Sequence, residues 1–296
     1  MPDPSPDTGP AASAERRGTE DPNVFLIPDA ALPAGFADRV ASGDFAAVEA
    51  RPAATVVLVR DGERGPEVLL LRRHRRSGFA AGAWVFPGGM VDVEDRRPSA
   101  LERLAGPSPA VWATRLGMED ADEAAGYVVA ALREAFEETG ILLARGAPAL
   151  ASDALEEARR ALLEGGQGMG EVAARLGIEM DGGGVVYVAH WITPEPEPRR
   201  YDTRFFLARV PAGAECVPHA PEMVDSAWLT AIEALRRFER GEIKLLPPTI
   251  RTLARLAGLA SVDEIAASFR DAEVPPILPV MRVQPGGVAI VVPGHA

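Results

Sequence analysis

The sequence predicts an α/β fold in which strands and helices alternate along the chain. Apolar, β-branched runs over residues 53–71, 185–208 and 222–229 are typical of strands. Stretches with apolar residues at helical spacing, such as 151–180, separate these runs. A chain of 296 residues with 47% hydrophobic residues is long enough and apolar enough to bury a sizeable core.

The two ends of the chain differ in character. Residues 1–22 contain Pro, Ala, Ser, Gly and charged residues and almost no large apolar side chain, so we expect a disordered tail. The remaining residues, 23–296, are expected to form a single domain. Val24–Ile27 predicts a short strand at its start, and Ile277–Val283 and Val288–Val292 predict two closing strands.

Composition excludes several classes of function. The net charge is −12, from 31 basic and 43 acidic residues, which disfavours binding to nucleic acid because phosphate requires a cationic surface. Cys216 is the only cysteine, so no intrachain disulfide is expected and a reducing compartment, the cytoplasm, is predicted. We find no apolar run near the ~18 residues of a membrane span and no secretory signal.

A β-hairpin with a basic end is predicted near the start of the domain. Ala53–Val59 and Glu67–Leu71 are its strands, and the segment 61–65 is its turn. The densest positive charge of the chain follows at 72–76, and arginine suits phosphate because its planar guanidinium donates two parallel hydrogen bonds. A solvated strand end is the alternative. The candidate phosphate-binding residues are Arg72, Arg73, Arg75 and Arg76.

An acidic helix is predicted over Ala130–Ile141, with Gly140 as its stop. A helix turns about 100° per residue, so Glu134, Glu137 and Glu138 share one face. Three carboxylates this close repel one another, and a hard divalent cation would relieve the repulsion. The alternative is a solvated acidic face.

A glycine-rich turn and the acidic helix together form a known pattern. Phe86-Pro-Gly-Gly89 ends an apolar run, Asp95 follows Gly89 after five residues, and Arg133–Ile141 reads Arg-Glu-Ala-Phe-Glu-Glu-Thr-Gly-Ile. This pattern resembles the box of the Nudix hydrolases, and its second half fits at every fixed position. The resemblance covers roughly residues 50–270 and implies the Nudix fold, in which a mixed β-sheet is sandwiched between helices.

The box departs from the family pattern in two places. Asp95 stands where the family has Glu, and the neighbouring Glu94 is a second candidate for that role. A gap of 37 residues separates Asp95 from Arg133, where the usual box has seven. Such a split box is similar to the subgroup that includes peroxisomal coenzyme A diphosphatases. We interpret the insertion, residues 96–122, as either a specificity lid or a surface elaboration, and 146–183 as a second, helical insertion after the box.

The resemblance implies hydrolysis of a diphosphate linkage with Mg²⁺ or Mn²⁺ as cofactor. Asp95 is expected next to the metal ligands, and the identity of the general base is left open. Glu222 is the first candidate for a further acidic ligand and Asp225 the second. By resemblance, the metal ligands are the Gly88 carbonyl and the carboxylates of Glu134, Glu137, Glu138 and Glu222, and the catalytic residues are Glu134, Arg133 and Glu137.

The substrate is predicted to be a small nucleotide derivative, coenzyme A or its acyl form. Gly82 matches the spacing of a coenzyme A signature, but the arginines of 72–76 do not align with it. The alternatives are a Nudix hydrolase of ADP-ribose, a dinucleotide or another nucleotide, and a non-catalytic regulatory module. A homodimer is left open. Further candidates for substrate phosphate, or for holding the insertion, are Arg199, Arg200 and Arg204, whereas His190 is expected to be a paired core histidine.

Overall fold

A central sheet covered by helices on both faces forms the middle of the molecule. The predicted α/β class is confirmed by this arrangement. The predicted tail lies outside the described residues, apart from Asp21 and Pro22. The computed structural model describes residues 21–46, 48–75, 80–145, 150–210, 213–220 and 222–294.

The elements follow one another in a mixed order. The strands are β1 (Val24–Pro28), β2 (Arg51–Gly62), β3 (Gly65–Arg73), β4 (Trp84–Val85), β5 (Gly88–Met90), β6 (Leu104–Ala105), β7 (Ala144–Arg145), β8 (Glu179–Asp181), β9 (Val185–Ile192), β10 (Tyr201–Arg209), β11 (Met223–Thr230), β12 (Pro276–Ile277), β13 (Val280–Gln284) and β14 (Gly287–Val291). The helices are α1 (Phe36–Ser42), α2 (Pro98–Leu101), α3 (Pro109–Leu116), α4 (Ala121–Thr139), α5 (Ser152–Leu163), α6 (Met169–Leu176), α7 (Ala231–Glu239), α8 (Pro247–Leu256) and α9 (Val262–Arg270).

The central sheet has the strand order β11-β3-β2-β10-β9-β12, with β4 beside β3 and β5 beside β2. Strand β2 runs parallel to β10 and β9 parallel to β12, whereas the other neighbours run antiparallel. The sheet is therefore mixed, as the resemblance implied. Strands β2 and β3 form the predicted hairpin, with Gly62 opposite Gly65.

Strand β2 shows why both faces of the sheet are covered. Successive side chains of a strand point to opposite faces. Ala54, Val56 and Leu58 pack into the cluster that contains α4, whereas Val57 and Val59 pack into the cluster that contains α8 and α9. All five are fully buried, so α4 is held against one face of the sheet beside β5.

Helix α4 begins and ends with specific caps. The Asp120 side chain accepts a hydrogen bond from the Glu123 N–H at 2.9 Å. Gly140 has a φ of 74°, and its N–H donates to the Phe136 carbonyl. The helix therefore ends at Thr139, and the predicted stop at Gly140 is confirmed by its left-handed conformation.

The insertion 96–122 packs against the core of the domain. It contains α2, β6 and α3, and Trp112 and Leu116 are buried in the cluster that includes α4. The ring of Trp112 meets that of Phe206 edge-on at 6.0 Å. Burying these apolar side chains fixes this part of the insertion against α4 and the sheet, and its role as a specificity lid stays a prediction.

The second insertion contains α5, α6 and β8, with residues 146–149 outside the described part of the chain. Strand β8 pairs with β6 of the first insertion on one side and with β7 on the other. The two insertions thus share a small sheet. The sequence of neither segment predicts this long-range strand pairing.

The C-terminal strands differ from prediction in one respect. The predicted strand 277–283 is divided, since β12 joins the central sheet beside β9 and β13 pairs with β14. Strand β14 also pairs with β1, which gives a three-stranded sheet from both ends of the domain. None of the helices in the described ranges is long and apolar enough to cross a membrane.

Candidate active site

A cleft of 680 Å³ lies where β5 and the acidic face of α4 meet. One end of it is strongly polar and the rest of its wall is mostly apolar. The resemblance placed most of the metal ligands on these two elements, and the structure brings them together although 44 residues separate Gly89 from Glu134 in the chain. The polar end is lined by Gly88, Gly89, Asp92, Arg133, Glu134, Glu137 and Glu138.

Arg133 is the centre of a buried ion-pair network. Its guanidinium binds the fully buried Asp95 through two bonds, from Nε at 2.9 Å and from Nη2 at 3.0 Å. Nη1 donates to Glu134 at 2.8 Å and to Glu137 at 3.0 Å, and Nη2 also donates to the Met90 carbonyl at 2.8 Å. Arg133 therefore orients the carboxylates and ties α4 to the turn after β5.

The two glycines of the turn are required by close approach. The Gly88 N–H donates to a Glu138 carboxylate oxygen at 3.1 Å. A Cβ at Gly88 would lie 2.5 Å from the Ala54 carbonyl oxygen of β2, and a Cβ at Gly89 would overlap the Glu134 carboxylate. Only glycine lets this backbone pass so close to both strand and acids.

Burial raises the pKa of all three acids. Desolvation raises the pKa of Glu134 to about 7, with the Glu137 charge adding to the effect and Arg133 opposing it. The pKa of Glu138 is raised well above its usual value by burial and by the charge of Glu134. Burial also raises the pKa of Glu137. The protein thus holds three carboxyl groups in a place where their ionised forms are costly.

This donor set fits a hard divalent cation in its chemistry. Mg²⁺ and Mn²⁺ take oxygen ligands, and a cation would offset the cost of ionising the buried Glu134 and Glu138. As they stand, Glu134 and Glu137 are bonded to Arg133, and Glu138 to the Gly88 N–H. In the part of the chain that the structure describes, no three acidic, His or Cys side chains form a ready-made metal cage.

The loop that precedes β11 is docked on the end of α4. The Val217 N–H donates to the Thr139 carbonyl at 2.8 Å, and the His219 N–H donates to the Glu138 carbonyl at 3.0 Å. This docking brings Glu222 to the wall of the cleft, where its charge adds to the raised pKa of Glu138. Asp225 does not line the cleft and pairs with Arg72 at 3.3 Å.

A second cavity, of 790 Å³, adjoins the basic end of β3. Arg73 lines both this cavity and the cleft, so it stands at their junction. Its Nε is buried and has no hydrogen-bond partner among the described residues. The other basic residues of the second cavity are Arg72, His74, Arg75 and Lys244.

Comparison with known proteins agrees with this geometry. The sequence profile of the NUDT19 Nudix domain matches residues 100–256. The chain belongs to this family of Nudix hydrolases. The match includes the whole second half of the box, with Arg133, Glu134, Glu137 and Glu138 in place.

Two similar proteins are named as acyl-coenzyme A diphosphatases. The acyl-coenzyme A diphosphatase NUDT19 of Gallus gallus is 32% identical over 268 residues, covering 73% of this chain and 70% of that protein. The Homo sapiens protein of the same name is 30% identical over 236 residues, covering 68% of this chain but only 63% of its own length. A crystal structure of a Nudix hydrolase from Alicyclobacillus acidocaldarius superposes with a TM-score of 0.63 at 28% identity, over 78% of this chain and all of that one.

In this Nudix hydrolase, the arginines predicted to bind substrate phosphate lie in different surroundings. Arg72, Arg73 and Arg75 line the second cavity, and Arg76 lies outside the described residues. Arg199 is exposed and lines neither cavity. Arg200 and Arg204, the other two, form hydrogen bonds with the backbone of other segments.

Arg200 and Arg204 serve the scaffold. Arg200 donates to the Val48 carbonyl at 2.7 Å and to the Thr193 carbonyl at 3.0 Å. Arg204 is buried and donates to the Leu116 carbonyl of the first insertion at 2.7 Å. We therefore correct their assignment to substrate phosphate: of the two roles predicted for Arg204, holding the insertion is the one its contacts show.

The remaining sequence candidates are accounted for by ion pairs. His190 is buried and its Nε2 lies 2.6 Å from Asp202, as expected of a paired core histidine. Glu94 pairs with Arg97 at 2.8 Å and takes no part in the network of Arg133.

Sequence reasoning missed Arg159 on α5. Its Nε donates to the Glu137 carbonyl at 2.9 Å and its Nη2 to the Val217 carbonyl at 2.7 Å. It therefore joins the second insertion to the last turn of α4 and to the loop before Glu222. Its only signal in the sequence is an arginine in a helical insertion, which does not reveal two backbone partners so far apart.

Proposed function

We propose that this Nudix hydrolase cleaves the diphosphate of coenzyme A or acyl-coenzyme A with the help of Mg²⁺ or Mn²⁺. Water adds to one phosphorus and the bridging P–O bond breaks, which gives 4′-phosphopantetheine, or its acyl form, and 3′,5′-ADP. The names of the relatives support the substrate class. A cytoplasmic location and the oligomeric state stay predictions.

One observation carries the choice of coenzyme A: Arg73 stands between the acidic site and the basic second cavity. Coenzyme A carries a 3′-phosphate on its ribose in addition to the diphosphate. That extra dianion requires a basic contact away from the metal. Arg72, Arg73 and Arg75 supply such contacts beside the acids, in a chain whose net charge is −12.

The acidic residues have separate roles in this proposal. Glu137, Glu138 and the Gly88 carbonyl would hold the cation, with Glu222, which also lines the cleft, as a further ligand. When bound, the cation neutralises diphosphate charge and lowers the pKa of water. Glu134, whose pKa burial raises to about 7, accepts the proton of the attacking water. Arg133 holds Glu134 and Glu137 in position.

The test compares coenzyme A with dephospho-coenzyme A at fixed Mg²⁺. A charge-assisted hydrogen bond contributes about 1.5–3 kcal/mol, so we expect kcat/KM to be roughly ten- to a hundredfold lower for the dephospho compound. Arg75→Ala should bring the kcat/KM values of the two compounds closer together. The matched variant Arg199→Ala, which changes an exposed arginine outside both cavities, should leave the difference between them unchanged. Equal values for the two compounds in the wild type would instead indicate a general nucleoside diphosphate hydrolase.

A further inference from the structure

The cleft extends from the acids along a wall that carries almost no charge. We call this wall the apolar arm and define it by Trp191, Ile192, Phe205, Leu246 and Met281. Trp191 and Ile192 end β9, Phe205 lies in the middle of β10, Leu246 precedes α8, and Met281 belongs to β13. None of them belongs to the box, so the arm is a separate feature of the same cleft.

Two members of the arm show that it is not simply core. Ile192 and Leu246 are only half-buried, and they belong to none of the apolar clusters of the interior. Partly exposed apolar side chains in a concave site are typical of ligand pockets. The arm therefore has apolar surface to offer a ligand bound in the cleft.

The chemistry of the arm selects one half of the proposed substrate. A diphosphate or a 3′-phosphate requires cations, which the cleft and the second cavity supply at Arg73 and beyond. The pantetheine half of coenzyme A is uncharged and combines methyl and methylene groups with two amides, a hydroxyl and a terminal thiol or thioester. Its acyl chain is entirely apolar, and both match a wall with isolated polar groups.

We propose that the apolar arm binds the pantetheine and acyl half of the substrate, and that Glu197 hydrogen-bonds to one of the pantetheine amides. This inference rests on the proposed function, because it assigns a place to the part of coenzyme A that does not react. It makes Leu246, Ile192 and Glu197 specificity-determining residues.

Glu197 is suited to this role by its surroundings. It lines the cleft and is partly buried, and its side chain has no hydrogen bond or ion pair with another described residue. Burial raises its pKa to about 7, so near neutral pH a large share of the molecules carry a proton there. A protonated carboxyl can both donate to an amide carbonyl and accept from an amide N–H.

The arm predicts a dependence on the length of the acyl chain. Each buried CH₂ group contributes about 0.8 kcal/mol, which is about fourfold in affinity. KM should therefore fall from coenzyme A to acetyl-, butanoyl- and octanoyl-coenzyme A, and level off once the arm is filled. A KM that does not change across this series would overturn the assignment of the acyl chain.

Leu246→Asp provides the test by mutation. Leu246 precedes α8 as its N-cap residue and makes no capping bond, and Asp and Asn are both favoured at that position. Both variants should therefore fold, with Leu246→Asn as the uncharged control. The substrates are octanoyl-coenzyme A and the methyl diphosphate ester of 3′-phosphoadenosine, which keeps the 3′,5′-ADP half and lacks pantetheine.

We expect Leu246→Asp to raise KM for octanoyl-coenzyme A by at least about tenfold and to leave KM for the methyl ester within about twofold. Leu246→Asn should have a smaller effect. Equal losses on both substrates would mean that the arm holds the shared adenosine half, and no loss on either would mean that it holds neither. Both outcomes overturn the assignment while leaving the diphosphatase activity in place.

Glu197 is tested with coenzyme A and with the same methyl diphosphate ester. A neutral hydrogen bond contributes about 0.5–1.5 kcal/mol, so Glu197→Ala should raise KM for coenzyme A by about two- to tenfold. Glu197→Gln, which keeps a donor and an acceptor, should restore most of the loss, and kcat should change little. If neither variant alters KM, the role of Glu197 is wrong. If the wild type cleaves no coenzyme A derivative at all, the proposed function fails, and this inference with it.

Discussion

Replacing Arg133 by methionine should destabilise the protein through Asp95. Arg133 makes five hydrogen bonds, and two of them hold the carboxylate of Asp95, which has no exposed surface. After the substitution Asp95 keeps only the Asp92 N–H at 2.9 Å among the bonds described here. Leaving one partner of a buried ion pair uncompensated costs about 3–5 kcal/mol.

The measurement is urea unfolding at pH 7 with a chelator present, followed by circular dichroism, with the free energy of unfolding extrapolated to water. We expect Arg133→Met to lower that free energy by about 3–5 kcal/mol. The double variant Arg133→Met/Asp95→Asn should be more stable than Arg133→Met alone, because the buried charge is gone. Arg199→Met is the surface control, and its effect should stay within about 0.5 kcal/mol.

Two results would refute this reasoning. One is a loss below about 1 kcal/mol in Arg133→Met, the size of an exposed pair, which would mean that Asp95 finds water or another donor. The other is strict additivity of the two substitutions, since coupled residues show interaction energies of about 0.5–3 kcal/mol.

Three further predictions concern α4 and its supports. Glu138→Gln should lower kcat by at least about a hundredfold at saturating Mg²⁺ while the fold persists, and near-normal turnover would reject Glu138 as a ligand. Arg159→Ala should lower kcat by about tenfold and lower the melting temperature, because two hydrogen bonds to backbone carbonyls are lost. The matched control Arg160→Ala changes an exposed neighbour on α5 and should change kcat by less than about twofold. Equal effects of the two variants would show that Arg159 does not position α4. The pKa of Glu134 is about 7 in the folded protein and about 4.5 in the unfolded chain, so in metal-free protein its contribution to stability is lost as pH rises from about 4.5 to about 7. This loss amounts to about 3 kcal/mol. Glu134→Gln should therefore weaken the dependence of the free energy of unfolding on pH, measured by unfolding with a chelator present.

The sequence by itself determined the parts of the site that are local. Glu134, Glu137 and Glu138 share a face because helical periodicity alone fixes their directions, and Gly140 ends the helix because its conformation is left-handed. The strands β2 and β3 were predictable for the same reason, since alternation and a glycine-containing turn are properties of a short segment.

Only the tertiary structure decided which distant groups meet. Asp95 and Arg133 are 38 positions apart, and their pairing follows from how β5 packs on α4. The first insertion belongs to the core because Trp112 packs against Phe206. The second insertion contributes Arg159, which donates a hydrogen bond to the Glu137 carbonyl.

The arginines make the same point most clearly. Arg73 and Arg204 both follow or lie within strands beside apolar residues, and the sequence gives no reason to prefer either as a phosphate ligand. The fold places Arg73 at the mouth between two cavities and buries Arg204 against Leu116. The sequence gives the chemistry of each side chain. The surroundings of that side chain depend on contacts between segments far apart in the chain, and these contacts form only in the folded structure.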